Sequence, residues 1–255
     1  MRREATTALG EMTTEAVSAL VRGGPVAIVL PVGSVEPHGP HLPLATDSIL
    51  SERAAHLAVE RLAASGATAL VAPTIPYGVT DFAAGFAGAI SIDAASLIAY
   101  LRAVVTGYLA ASFCHVCVVS NHLEPAHDAA VRASIEGLPR GRASVASPLT
   151  RRWARALSAE FKSGACHAGR YETSLVLAAR PDLVSDEASR LPPLDASLSD
   201  GIRRGVTRFA DLGMARAYTG APAEATAEEG RELYEKLAEM VATETLEGLA
   251  SIATS

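Results

Sequence analysis

The sequence predicts an α/β fold: a layered, mostly parallel sheet with helices on both faces. Three observations predict it. Apolar runs at 25–31 (PVAIVLP), 67–73 (ATALVAP) and 114–119 (CHVCVV) are short and nearly continuous, as in strands covered on both faces. Helical patterns separate the runs. The β-α-β-α-β-α alternation that results is the order that builds a layered domain.

The first run leads towards a helix over 48–64, with Thr46 or Asp47 as N-cap and Gly66 as its stop. A helix over 94–111 precedes the third run, and one over 125–137 follows it. Beyond these, 148–162 reads as a helix with Ser147 as N-cap and Pro148 in the first helical position. Residues 172–180 read as a helix ended by Pro181, and 191–200 as a loop rich in Pro, Asp and Ser. The last helix opens on Thr226-Ala227-Glu228-Glu229, a capping box, and runs to about Leu249. No low-complexity linker and no internal repeat divides the chain, so one domain over 1–255 is expected.

Composition sets limits on function. The 255 residues carry a formal net charge of −6, and no stretch combines Lys and Arg with aromatic residues, so no nucleic-acid partner is expected. No apolar run reaches the length of a membrane span. The opening MRREATTALGEM has charges with no apolar segment behind them, so a cytoplasmic protein is expected. Cys114 and Cys117 form a CxxC, but it lies in an apolar strand-like run with no second pair. Residues three apart on a strand face opposite ways, so these read as core residues rather than as a zinc or redox site.

Polar residues follow each run closely: VGSVEPHGPHLPLATD after the first, TIPYGVTD after the second, SNHLEPAH after the third. In open parallel sheets ligands bind outside the carboxyl ends of the strands, so three loops converge on one edge. Pro37 pushes Glu36 into the extended region, and residues two apart in an extended segment point the same way. Glu36 and His38 can therefore share one space. His122 and Glu124 repeat the relation at the end of another strand, and Asp47 lies between the two pairs in sequence. Two histidines and three carboxylates suit a pair of divalent ions such as Zn²⁺ or Mn²⁺. Asp47, belonging to neither pair, is the candidate bridge. Two such ions can hold a hydroxide and polarise a carbonyl, which permits hydrolysis without a protein nucleophile. Taken singly, each of these residues also reads as a cap or a hydrogen-bonding group.

The stretch VLPVGSVEPHGPHLPLATD is similar to the signature of the creatininase family, LPxGSxEQHGPHLPLxTD. SNHLE stands where that family has its second strand-end histidine, CHAGRYETS resembles its HxGxxETS segment, and GAPAEATAEEG resembles its closing segment. The resemblance implies a metal-dependent amidohydrolase with two divalent ions (Zn and/or Mn), acting on a small-molecule substrate and assembled as a homo-oligomer, usually a hexamer. Carried over, Glu36 and His122 would hold one ion, His38 and Glu124 the other, and Asp47 would bridge. His167 would act as a proton shuttle or orient the carbonyl. Glu172 would be a further acid/base or a support for the ligands, or simply a first-turn helix carboxylate.

Departures from the family narrow the substrate. Most relatives have NGHGGN at the second motif; this chain has Asn121-His122-Leu123-Glu124-Pro125. True creatinine hydrolases share the acid after the histidine, but they place an aromatic residue at Leu123 and a Trp-Asp pair near Ser163-Gly164. Creatinine is therefore not the expected substrate. Leu123 and the hydroxyl of Thr80 are expected to contact substrate, and hydrolysis of a non-peptide amide C–N bond leads the readings. A deformylase, a peptide-trimming enzyme of the mycofactocin type, a lyase-like activity on a sugar ketone and a non-catalytic oligomeric scaffold remain open. His41 is expected to support the loop and His127 to lie at the surface. Arg170 is expected either to bind a substrate carboxylate or to pair with a nearby acid.

Overall fold

The computed structural model describes residues 6–253. Four strands, β1 (Val26–Val32), β2 (Thr68–Val71), β3 (His115–Ser120) and β4 (Ala143–Ala146), form a sheet in the order β2-β1-β3-β4. Every pairing is parallel. The register sets Val32 of β1 beside Ser120 of β3, so the loops that follow these two strands leave the sheet at the same level.

Side-chain alternation divides the strands between two cores. Ala27, Val29, Cys117 and Val119 face α2 (Thr46–Ala64), α7 (Arg170–Ala179) and α9 (Ala227–Ala253). Val26, Ile28, Leu30, Val116 and Val118 face α1 (Thr14–Gly23), α3 (Ala94–Ala110) and α4 (Pro125–Ile135). The expected architecture, a parallel sheet covered on both faces, is the one observed. Every residue of β1 and β3 is buried, which is why their sequences show no polar alternation. A third, smaller cluster of Ala83, Phe209, Met214 and Ala217, joined by Phe82, lies among the loops.

Several local expectations need correction. The helix expected over 148–162 is two short ones, α5 (Arg151–Ala154) and α6 (Ala159–Ser163). Ser158 restarts the chain as an N-cap, its Oγ accepting from the Phe161 N–H at 3.2 Å. Part of the expected loop over 191–200 begins a further helix, α8 (Leu198–Arg203), capped by Ser197. Strand β4 is additional to the expected strands; it is four residues long and mostly half-buried, too short and too mixed to show a period. Neither Thr46 nor Asp47 caps α2, which starts at Thr46 after Ala45 without a side-chain cap. Thr226 does cap α9, accepting from Glu229 N–H at 3.1 Å. The Glu229 carboxylate, however, is taken by Arg170 and Ser174 instead of closing the box.

Cys117 is buried in β3 and Cys114 half-buried before it, and burial pushes both thiols above their usual pKa. The core reading of the CxxC stands.

Candidate metal centre

The loop after β1 is held against the sheet by its backbone. Gly33 N–H donates to Ile75 O at 2.9 Å and Glu36 N–H to Leu44 O at 3.1 Å. A Cβ on Gly33 would lie 2.5 Å from the backbone nitrogen of Ser48. Glycine therefore allows the start of α2 to pack directly on the end of β1, and this brings Asp47 to Glu36. Gly39, at φ +66°, donates its N–H to Ala217 O at 2.7 Å and turns the loop back.

Glu36, His38, Asp47 and His122 meet in one buried cluster. Nδ1 of His122 lies 3.2 Å from Glu36 Oε1 and 3.1 Å from Asp47 Oδ2. Nε2 of His38 lies 3.3 Å from Asp47 Oδ1 and 3.7 Å from Glu36 Oε1. One oxygen of Asp47 thus faces each imidazole, as a bridging carboxylate requires. The far nitrogen of each ring is fixed by a backbone carbonyl: His122 Nε2 to Val79 O at 2.7 Å, His38 Nδ1 to Glu36 O at 3.2 Å. Donating there leaves the near nitrogen of each neutral ring a lone pair directed at the carboxylates.

The acid beside His38 is Glu172, in the first turn of α7, its Oε2 3.5 Å from His38 Nε2 and accepting the Ala168 N–H at 2.7 Å. The family resemblance pairs His38 with Glu124. That carboxylate instead accepts N–H bonds from Asp81 (3.0 Å) and Phe82 (3.3 Å). Among the described residues, three sets of ligand atoms lie close enough to share an ion. They are Glu36-Asp47-His122, His38-Asp47-Glu172 and Glu36-His38-His167; Glu124 is in none of them.

Thr80, expected at the substrate, is buried, and its hydroxyl donates to Glu36. That bond holds a ligand-type carboxylate in place. Leu123 lines the cavity, as does His167. The His167 ring lies between His38 (4.5 Å) and Phe209 (4.3 Å). Its Nε2 is bonded to Pro37 O at 2.9 Å, and its Nδ1 faces Glu36 at 3.8 Å.

His41 sits outside the cluster with Nε2 on Thr173 Oγ1 at 2.8 Å, a loop-holding contact. Arg170 pairs with Glu229 at 2.6 Å, the nearby-acid alternative. His127 is buried rather than at the surface. Its Nδ1 accepts from Val79 N–H (3.3 Å), its Nε2 meets Ser120 Oγ (3.1 Å), and its ring edge packs on His122. Gly78 leaves room for that ring. The signal for burial was its place on the first turn of α4, which folds back over the end of β3.

Three buried carboxylates gathered around His38 and His122 call for positive charge among them. Burial alone would strip the proton from His38, but Asp47 and Glu172 outweigh it and raise its pKa to about 10. His122 is raised well above the usual range against the same burial penalty by Glu36 and Asp47. Glu172 is pushed up by burial to about 8. His167, by contrast, is lowered to about 4 by burial and by the charge on His38. Nε2 of His38 and Oδ2 of Asp47 are buried without a hydrogen-bond partner although opposite charges stand 3.1–3.3 Å away. Atoms that touch without hydrogen-bond geometry fit a cation placed between them. The donor set, imidazole nitrogens with carboxylate oxygens, suits Zn²⁺ or Mn²⁺.

The profile of the creatininase family, described as creatinine amidohydrolase, matches residues 10–244. This chain belongs to the creatininase family. As a creatininase-family hydrolase it is 32% identical over 246 residues to the mycofactocin precursor peptide peptidase of Mycobacterium ulcerans (strain Agy99), covering 91% of this chain and 88% of that one. It is 34% identical over 236 residues to the same-named protein of Mycobacterium tuberculosis (strain CDC 1551 / Oshkosh), with 89% and 86% covered. Among solved structures, a manganese creatininase superposes with TM-score 0.75 at 23% identity, covering 94% of this chain and 97% of that chain. A Zn–Zn creatininase variant superposes at 0.72 and 22%, with the same coverage. These likenesses carry the fold.

Proposed function

We propose that this chain is a metal-dependent hydrolase that cleaves an amide bond in a short peptide. The observation that carries the metal part is the paired geometry at Asp47, one carboxylate oxygen towards His122 and Glu36, the other towards His38 and Glu172. In this reading Glu172 takes the place beside His38 that the sequence alone gave to Glu124. The peptide part rests on the relatives at 32–34% identity, which are named peptidases. It moves the peptide-trimming alternative ahead of the non-peptide amide that the sequence favoured. Leu123 and Gly164 line the cavity where creatinine hydrolases would carry aromatic and polar groups, which supports a substrate other than creatinine.

Divalent ions, which Glu36, Asp47, His122, His38 and Glu172 would hold, would supply an activated water and a Lewis acid for the carbonyl oxygen. The chain's own groups do the rest. Thr80 and the carbonyls of Val79 and Glu36 fix Glu36, His122 and His38 before substrate arrives, so little reorganisation remains. His167 presents a neutral Nδ1 to the cavity, its other nitrogen anchored on Pro37 O. It takes a proton as water oxygen adds to the carbonyl carbon, and returns it to the nitrogen as the C–N bond breaks. One water is consumed; the proton left on the new carboxyl group passes to the amine, so a carboxylate and an ammonium leave. Phe82 and Phe209 wall this part of the cavity with apolar surface.

The test is hydrolysis of short peptides by protein loaded with Mn²⁺ or Zn²⁺, read by mass spectrometry beside creatinine and formamides. The expected result is peptide cleavage that stops on chelation and returns with metal. Turnover of creatinine or formamides with intact peptides would return the non-peptide reading to first place.

A further inference from the structure

The cavity beside the metal centre has a volume of about 310 Å³, at the small end of ligand pockets. Its floor is formed by buried Glu36, His122 and His167; its sides are apolar, with Leu123, Leu149, Phe161, Ile202 and Phe209. Three exposed cations also line it: Arg151, Arg155 and Lys162. Among the described residues none of the three has a carboxylate within ion-pair distance, whereas Arg152, between the two arginines, is paired with Glu247 at 2.9 Å. That difference follows from α5. Arg151 and Arg155 are four apart and share one face. The other face is tied to α9 by Arg152 and by Trp153 Nε1, which donates to Glu244 Oε1 at 2.7 Å. Anchoring one face directs the two arginines at the cavity. In a chain with 28 acidic and 22 basic residues, three cations without an acid around one mouth present uncompensated positive charge to whatever enters it. The carboxylate in the wall, Glu124, is already held by two backbone N–H groups.

We infer that Arg151, Arg155 and Lys162 recognise a carboxylate of the substrate, with an apolar portion spanning the cavity between that group and the bond to be cleaved. The inference rests on the hydrolase reading of this site and adds its substrate class. A carboxylate can come from a peptide's C-terminus or from an acidic side chain, and both serve the chemistry, since guanidinium forks pair with either.

The experiment uses three hexapeptides with an uncharged N-terminal dye and the metal-loaded protein. One ends Ala-Leu-Phe as the free acid, one is its amide, and one is the amide with Glu in place of Phe. Anisotropy at mixing reads binding, and its later fall reads cleavage, so a failure of the hydrolase reading and a failure of this one are told apart. At least one carboxylate peptide is expected to bind about tenfold tighter than the neutral amide. The preference should shrink two- to fivefold, roughly, with each of Arg151→Gln, Arg155→Gln and Lys162→Gln, and fade with salt. Which peptide is preferred identifies the source of the carboxylate. Arg155→Lys should keep most of the preference, which separates lost charge from lost folding. Equal binding of all three peptides, or an undiminished preference in the triple Gln variant, would overturn the inference.

Discussion

On one side of the cavity, Glu36, His38, Asp47 and His122 come from loops leaving two adjacent, fully buried strands and from the start of α2. On the other side, Leu149, Arg151, Arg155, Phe161 and Ile202 come from α5, α6 and α8, helices of four to six residues, and the turns beside them. The first side is fixed by the sheet: the parallel register sets the strand ends level, and glycines at 33 and 39 let the loop fold down on them. The second is held by scattered contacts, such as Trp153 on Glu244 and Ser158 on Phe161. The proposed chemistry thus sits where displacement is hardest, and the proposed selectivity where sequence can change without disturbing it.

The largest effect should come from breaking the first side. Asp47→Asn is expected to lose bound metal and to lower kcat/KM by about a thousandfold or more, read by elemental analysis alongside peptide turnover. His167→Gln should lower kcat by about 10²–10⁴ while metal content holds, because this ring is assigned to the proton and not to an ion. Loss of metal in that variant would move it into the ligand set.

Glu172 and Glu124 sharpen the division within the first side. Glu172→Gln should weaken metal binding by about ten- to a hundredfold in a chelator competition, whereas Glu124→Gln should leave it within about twofold. Metal loading should also depend on pH. His38, raised to about 10, and Glu172, raised to about 8, carry protons near neutrality that a cation must displace. Apparent affinity should therefore rise from pH 6 to pH 8, with proton release seen by calorimetry in buffers of different ionisation enthalpy. A flat profile would mean the protons are not there. The smallest effect belongs to the second side: Trp153→Phe removes the bond to Glu244 and should raise KM a few-fold, leaving kcat and metal unchanged.

The same contrast explains what could be read beforehand. Glu36 and His38 were legible as a pair because Pro37 forces an extended step, and β1 and β3 were legible because burial on both faces leaves only apolar residues. Asp47 was legible as a companion of both pairs, while the cap's role also expected of it is not the one seen, since α2 starts without a side-chain cap. Glu172 was placed near the site without its partner, since only the packing of α7 against α2 brings it to His38. Glu124 misled because its spacing from His122 mirrors Glu36-Pro37-His38, yet Pro125 starts a helix there and turns the carboxylate to the N–H groups of 81 and 82. The wall of α5, α6 and α8 was read as one helix and a loop. Elements of four to six residues give no period, and nothing in the local sequence marks Arg151 and Arg155 as different from Arg152.

Anomalous diffraction from crystals soaked in Mn²⁺ or Zn²⁺ would show whether two ions share Asp47. Two peaks about 3.5–4 Å apart are expected, one among Glu36, Asp47 and His122 and one among His38, Asp47 and Glu172. A centre without signal, or a single ion held by Glu124 and His122 with Glu172 uninvolved, would contradict that sharing.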